Sequence, residues 1–511
     1  MNSPYILKFC LDKGILIDKD LLNLFNETED LDSIKLIIEK LINISQTKII
    51  TKELFYSNKE QFKNIFLNLP IENKQIFEKL KIKLGLNIEI SKEISIENKI
   101  EFSPNVKIVS TSPDFSKSFE VSDFVNYFRG RFDEMRNVLQ EHSELDKLVS
   151  INKLSGNNEK ISLIGIVYDK RITKNKNIIL EIEDLTGRIK ILINQNKPEL
   201  YELAEKITLD SVLGFKGSGN KDILFCNEII FPDCALHERK KSPNEEFVLF
   251  IGDLHYGSKR FLRESFSKFI NYLNSDDSEA IKIKYLFIAG DIITGVGNYP
   301  NQEPDLEIID LEEQFIGVAE LLSKIRKDIK IIISPGNHDC IRLMEPQPIF
   351  DEKFAWPLYE LENVILTKNP STINIGATEN FSGFNVLNYH GFSYFYYAKT
   401  LSHLIKQKAA NKPELIMSYL LMNRHLAPTH TSVQYAPTEK DNHFIREIPD
   451  IFVSGHVHKS AVSYYNNILI VSVSCWEAMT PYMEKMGSIP DFCKVPMVNL
   501  KTRAVKILDF E

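Results

Sequence analysis

The chain has 511 residues, with 62 Lys and Arg against 70 Asp and Glu, and its formal net charge is −8. That length predicts about three domains, while the acidic balance excludes a protein that coats nucleic acid by charge alone, which needs a local excess of Lys and Arg. Hydrophobic residues make up 43% and charged residues 26%, the proportions of a folded multi-domain protein rather than a disordered or fibrous one.

No apolar run approaches the ~18 residues of a membrane span. The start, MNSPYILKFCLDKGILIDKD, has no basic leader ahead of an apolar segment. Six cysteines lie scattered without paired ligand spacing and read as reduced thiols. A cytoplasmic protein with no membrane partner is therefore expected.

The first stretch, residues 1–84, carries apolar positions at helical spacing, as in SIKLIIEKLINI (33–44) and KEQFKNIFLNL (59–69), the latter closed by Pro70. It predicts a small helical bundle. Residues 85–119 are polar, rich in Ser and contain Pro, with no sustained period, and are expected to form a flexible linker. Residues 120–236 open with an amphipathic helix, its apolar face Phe124, Phe128, Phe132, Met135 and Leu139, capped by Ser122 or Asp123. About five β-rich runs follow, with a helical stretch, PELYELAEKI, before the fourth; this is the pattern of an OB-type barrel, a platform for single-stranded nucleic acid or for a protein neighbour.

From residue 237 to 511 the texture changes. Apolar runs alternate with helical stretches, and the runs end in polar clusters: FVLFIGDLH, KYLFIAGD, KIIISPGNHD, FNVLNYHG and DIFVSGHVH. Continuous apolar strands imply a sheet covered by helices, with ligands bound beyond the strand ends. The clusters supply Asp253, His255, Asp291, Asn337, His338, Asp339, His390, His456 and His458. A lone strand-end Asp usually caps a turn, and a lone His usually makes a structural hydrogen bond. Five clusters in order are not explained as five independent turns, and convergent His and Asp mark a metal or catalytic site. Carboxylate, imidazole and amide oxygen suit manganese, iron or zinc, and two ions can be served if Asp291 bridges them. His456 and His458, two apart on a strand, are expected to face one site.

The series GDLH, GD, GNHD, H and GHVH resembles the calcineurin-like metallophosphoesterases, from Phe247 to about Lys506. Within that superfamily, GVGNYPNQEPDL (295–306), PGNHDCIRLMEPQP (335–348), RHLAPTH (424–430) and PDIFVSGHVHKS (449–460) resemble the small subunits of archaeal family D DNA polymerases. The resemblance implies a multi-domain α+β fold: an N-terminal helical bundle, an OB-type β-barrel and a phosphoesterase domain built as a two-sheet sandwich flanked by helices. It implies two divalent metal ions, manganese ahead of iron, zinc or magnesium. One would be held by Asp253, His255, Asp291 and His458, the other by Asp291, Asn337, His390 and His456. His338 would be the catalytic acid, with Asp339 orienting its ring and holding it protonated. The activity implied is a 3′→5′ exonuclease that proofreads single-stranded DNA 3′ ends beside a large polymerase subunit, with a sliding clamp reached through the complex. A non-catalytic scaffold and a repair nuclease of the same superfamily are the alternatives. His425, His430 and His443 match no ligand slot and are expected to be structural or to position substrate.

Overall fold

The computed structural model describes residues 3–19, 22, 35, 38, 49–50, 106–110, 118–156, 158–486 and 489–511. The chain divides into two compact units, 1–101 and 102–511. In the first, helix Ser3–Asp12 buries Ile6 and Cys10, and Leu16–Ile17 pairs in parallel with Ile49–Ile50. Most of the expected helical bundle, including 59–69, lies outside the described residues. Among the described residues, no helix is long and apolar enough to cross a membrane.

The second unit begins with a strand, Val106–Ser110, that pairs with Ser371–Ile375. These five residues lie inside the expected linker and correct it there: Val106 is buried and completes a sheet edge. Helix Val121–Gln140 follows. Its N-cap is Glu120, two residues before Ser122, and the Glu120 N–H donates to the Asp123 carboxylate at 2.9 Å, so Asp123 acts from inside the helix rather than as its cap. Phe132, Met135 and Leu139 pack against Ile164, Ile166, Val212 and Ile230 of the next module and against Phe444 far along the chain.

That module is a closed barrel of five strands, Asn158–Ile172, Ile178–Asp184, Gly187–Ile193, Val212–Gly219 and Ile223–Ile230. Their order is first, second, third, fifth, fourth, and helix Pro198–Glu205 lies between the third and fourth. Alternate residues such as Leu180, Ile182, Ile191, Ile193 and Phe215 fill the interior. The DLTG turn closes because Asp184 accepts from the amides of Thr186 and Gly187 at 2.7 and 3.0 Å.

The rest is a sandwich of two six-stranded sheets. One runs Val364–Leu366, Lys330–Ser334, Ile283–Ala289, Phe247–Ile251, Lys494–Asn499, Val505–Asp509; the other runs Ala461–Tyr465, Ile468–Ser472, Ile451–Ser454, Phe384–Asn388, Ser371–Ile375, Val106–Ser110. Side-chain alternation explains why the strands read as unbroken apolar runs. Val248 and Phe250 turn inward, with Phe287, Ile332, Val386, Val453 and Val471, to fill the space between the sheets. Leu249 and Ile251 turn outward, under a layer that includes Phe266, Phe269, Phe315 and Val318 from helices Arg263–Leu273 and Leu311–Ser323. Phe452 and Ile470 on the other sheet are covered by Tyr397, Met417 and Leu420 from helices Tyr394–Thr400 and Pro413–Met422.

Candidate metal centre

Five strands deliver their polar clusters to one place. Phe247–Ile251 is followed by Asp253 and His255, Ile283–Ala289 by Asp291, Lys330–Ser334 by Asn337 and His338, Phe384–Asn388 by His390, and Ile451–Ser454 by His456 and His458. Asp253, His255, Asp291, His456 and His458 have φ of +49°, +51°, +52°, +70° and +57°. Left-handed backbone at a non-glycine residue costs about 1–3 kcal/mol and persists where surrounding structure over-determines it, typically at functional sites. Here it turns each side chain sharply off the end of its strand. The glycines beside them make room: a Cβ at Gly455 would sit 2.6 Å from Asp253 Oδ2, and one at Gly290 2.5 Å from His390 Nδ1.

The donors fall into overlapping sets whose ligand atoms lie within 4.8 Å of one another: Asp253, His255 and His458; Asp291, His390 and His456; and His255, Asp291 and His338. His255 and His458 bring their Nε2 atoms to 3.1 Å, and His458 Nε2 is 3.5 Å from Asp253 Oδ1. His390 Nε2 lies 3.2 Å from Asp291 Oδ2 and 3.0 Å from Asn337 Oδ1. Asp291 Oδ2 is also 4.0 Å from His255 Nε2, which places it between the first two sets. His456 and His458 do not share one face as strand alternation predicts. Both lie past the strand end in left-handed conformation, and they serve different sets.

The surroundings fix these side chains. The Asp253 carboxylate accepts from the His456 amide, and Asp291 Oδ1 accepts from the His338 amide at 2.7 Å. His390 Nδ1 donates to the Ala289 carbonyl at 2.7 Å, and Asn369 Oδ1 accepts from the His390 amide. Burial pushes His255 and His456 well below the ordinary imidazole value, and neighbouring imidazoles add to the effect, so both rings are neutral and offer lone pairs. Burial also works against charge on His390, yet the Asp291 carboxylate pushes it up to about 9. Asp291 is held well below the carboxylate range, burial being outweighed by His390 and His338.

Such a set fits divalent cations. Its donors are nitrogen and oxygen, the types that hard and borderline ions take. His390 Nε2, with its other nitrogen committed to a carbonyl, faces two oxygens, so positive charge is favoured at that point, whether a proton or a metal supplies it.

His338 and Asp339 are placed differently from each other. The His338 ring, half-buried at the mouth, lies 4.8 Å from that of His255. Its Nδ1 is 3.1 Å from the Thr294 carbonyl and 3.3 Å from Asn298 Nδ2. Asp339 does not orient this ring, which corrects the expectation from sequence. Its carboxylate folds back on its own turn and accepts from the amides of Gly336, Asp291 and Ile293 at 2.7, 2.9 and 3.1 Å. Burial and the Asp291 carboxylate push Asp339 up to about 7 against these donors. The Thr294 carbonyl and Asn298 therefore take over the orienting part of the role expected of Asp339. Asn298 stands within GVGNYPNQEPDL, whose position just after Asp291 was the available signal.

His425, His430 and His443 lie outside these donor sets. His425 Nε2 bonds Asp441 at 2.8 Å, His443 Nε2 bonds Glu345 at 2.6 Å, and the His430 ring packs edge-on against Phe124 and Tyr435.

Fold and site together define a calcineurin-like phosphoesterase domain, and the family model of that description matches residues 248–460. Beyond the domain, most of the chain aligns with archaeal proteins named DNA polymerase II small subunit. The Methanothermobacter thermautotrophicus protein is 35% identical over 410 residues, 79% of this chain and 82% of that one. The Pyrococcus horikoshii protein is 34% identical over 86% of this chain and 72% of that one. The Pyrococcus furiosus protein is 37% identical over 76% of this chain, which spans 64% of that protein's length. The chain belongs to the archaeal DNA polymerase II small subunit family, as the resemblance in its motifs indicated. Among solved structures, an archaeal phosphodiesterase aligns with a TM-score of 0.26 at 12% identity, covering 51% of this chain and 98% of that one.

Proposed function

We propose that the chain is the nuclease subunit of a two-subunit DNA polymerase, a 3′→5′ exonuclease that hydrolyses the terminal phosphodiester of a single-stranded DNA 3′ end. The names of its relatives imply a large subunit as partner. The barrel of residues 120–236 is read as an OB-type module, and 237–511 as the catalytic domain. The protein would work in the cytoplasm, and a sliding clamp would be reached through the partner.

The supporting observation is the position of His338 beside two donor sets, Asp253–His255–His458 and Asp291–His390–His456, with Asp291 between them. Asp253, His255, Asp291 and His458 would hold one divalent ion, and Asp291, Asn337, His390 and His456 a second, with manganese preferred. When bound, such ions supply Lewis-acid neutralisation of phosphate charge and lower the pKa of water toward neutrality. The residues of the chain do the rest. The Thr294 carbonyl accepts a hydrogen bond from His338 Nδ1 and so leaves Nε2 as the nitrogen for proton transfer. As an imidazolium, His338 would give its Nε2 proton to the departing 3′ oxygen as that P–O bond breaks and a water oxygen bonds to phosphorus in its place, a contribution of roughly 10²- to 10⁴-fold. The His338 backbone N–H donates to Asp291 Oδ1, which ties the acid to the carboxylate between the two sets.

A 5′-labelled single-stranded oligonucleotide, incubated with manganese and the chain bound to its large subunit, should shorten stepwise from the 3′ end. Asp291→Asn should abolish shortening. An intact oligonucleotide after prolonged incubation would refute the nuclease and leave a scaffold.

A further inference from the structure

The mouth of the site carries an aromatic side chain that the proposed chemistry does not use. Helix Tyr394–Thr400 starts four residues after His390 and buries Tyr394, Tyr397 and Ala398 against the sheet. Its register leaves Phe395 39% exposed. That ring is not on a remote surface. Its centroid lies 5.3 Å from that of His456, edge-on at 67°, and Phe392 flanks the same imidazole at 5.5 Å. His456, His338 and Asn337 are the half-exposed members of the site and so mark where a phosphoester would enter. On the same helix, the ammonium of Lys399, itself exposed, lies 5.6 Å from the Phe395 centroid.

We propose that Phe395 is a stacking platform for an unpaired nucleobase at the end of the strand being cut, with Lys399 on a neighbouring phosphate. This deepens, and rests on, the phosphodiesterase reading above. Every base has a π-face, so a phenylalanine ring accepts any of the four, as a site that acts on any sequence requires. A terminal base still in its pair is tied to the opposite strand and stacked on its inner neighbour, so it reaches a ring beside the site only after leaving its pair. Phe395 thereby distinguishes frayed ends from paired ones without a hydrogen bond to a base edge. The net charge of −8 gives the chain little general attraction for DNA, which makes contacts close to the scissile bond matter more. Phe395 is thus a substrate-positioning residue rather than a catalytic one.

The test uses the chain bound to its large subunit and two readouts. The first is KM and kcat on a single-stranded oligonucleotide, compared with the same strand carrying abasic 3′-terminal residues. The second is fluorescence quenching of a 3′-terminal 2-aminopurine, read with Asp291→Asn so that the strand is not consumed. Phe395→Ala should raise KM roughly 5- to 100-fold on the normal strand, the value of losing one aromatic–base stack. It should leave kcat within about twofold, change nothing on the abasic strand and weaken the quenching, while Phe395→Trp restores both. A merely structural role would move KM equally on both strands. Equal loss on both strands, or unchanged KM and quenching in Phe395→Ala while hydrolysis persists, would overturn the stacking proposal and leave the nuclease reading intact. Strong, Phe395-dependent quenching by a protein that hydrolyses no phosphodiester would do the reverse.

Discussion

Arg131 donates to Asp441 at 2.6 Å with both side chains fully buried, 310 residues apart in the chain. The helix before the barrel thereby reaches into the phosphoesterase domain. Asp441 also accepts from Tyr127 at 2.6 Å and from His425 at 2.8 Å, and Arg131 donates to the Pro428 carbonyl at 2.6 Å. Removing one member of a buried ion pair leaves an uncompensated charge, typically costing about 3–5 kcal/mol. Arg131→Ala is expected to lose that much in urea unfolding, and a double replacement by apolar residues of similar volume to lose much less.

The same network predicts an acid sensitivity. Burial pushes His425 down to about 3, although the Asp441 carboxylate pulls the other way. A histidine that stays neutral in the folded state and takes a proton when unfolded makes stability fall as pH drops from about 6.5 toward 3, by up to ~1.4 kcal/mol per pH unit. His425→Gln should flatten the slope by close to one proton across that window, whatever its effect on stability at pH 7. Unfolding free energies measured at half-unit steps would show it.

Asp339 is expected to act through the backbone. Asp339→Ala leaves three buried amides without an acceptor, at about 1–3 kcal/mol for each that stays unsatisfied, and frees the turn that carries Asn337 and His338. Metal affinity and kcat should both fall. Asn298→Ala, which removes a contact to the His338 ring and to the Thr294 and His338 carbonyls but leaves the Asp339-bonded amides in place, should lower kcat by less and leave metal affinity unchanged. Calorimetric metal titration beside steady-state kinetics separates the two.

Gly336 offers a separate route to the same centre. A Cβ there would lie 2.6 Å from the Asp291 nitrogen and 2.7 Å from His390 Cε1, both rigidly held. Manganese at a hundredfold excess over its dissociation constant should stabilise the native chain by about 2.7 kcal/mol. Gly336→Ala should keep its far-ultraviolet circular dichroism and show no such gain in a thermal melt.

Much of the site was legible because a doubly covered strand must be apolar throughout, so Asp253, Asp291, Asn337, His390 and His456 stand out where each run stops. The edge strand Val106–Ser110 was not, since it is five residues set in a polar, Ser-rich stretch and its partner, Ser371–Ile375, lies over 260 residues away. Nothing in the sequence between Phe128 and Phe132 marks Arg131 as buried; Asp441 and the Pro428 carbonyl, both about 300 residues on, make that burial tolerable. The exchange of roles between Asp339 and the Thr294–Asn298 pair was hidden for another reason. Adjacency in sequence suggested that Asp339 serves His338, whereas the turn directs its carboxylate back to the amides of Gly336 and Asp291. The separation of His456 from His458 likewise depends on left-handed backbone, which a histidine does not advertise.

The central claim is that Asp291 sits between two cations gathered by these seven side chains. Anomalous diffraction from crystals of the chain soaked in manganese measures it directly. Two peaks about 3.5–4 Å apart, flanking the Asp291 carboxylate, are the predicted result. Peaks confined to surface carboxylates, with none among Asp253, His255, His390 and His458, would contradict it.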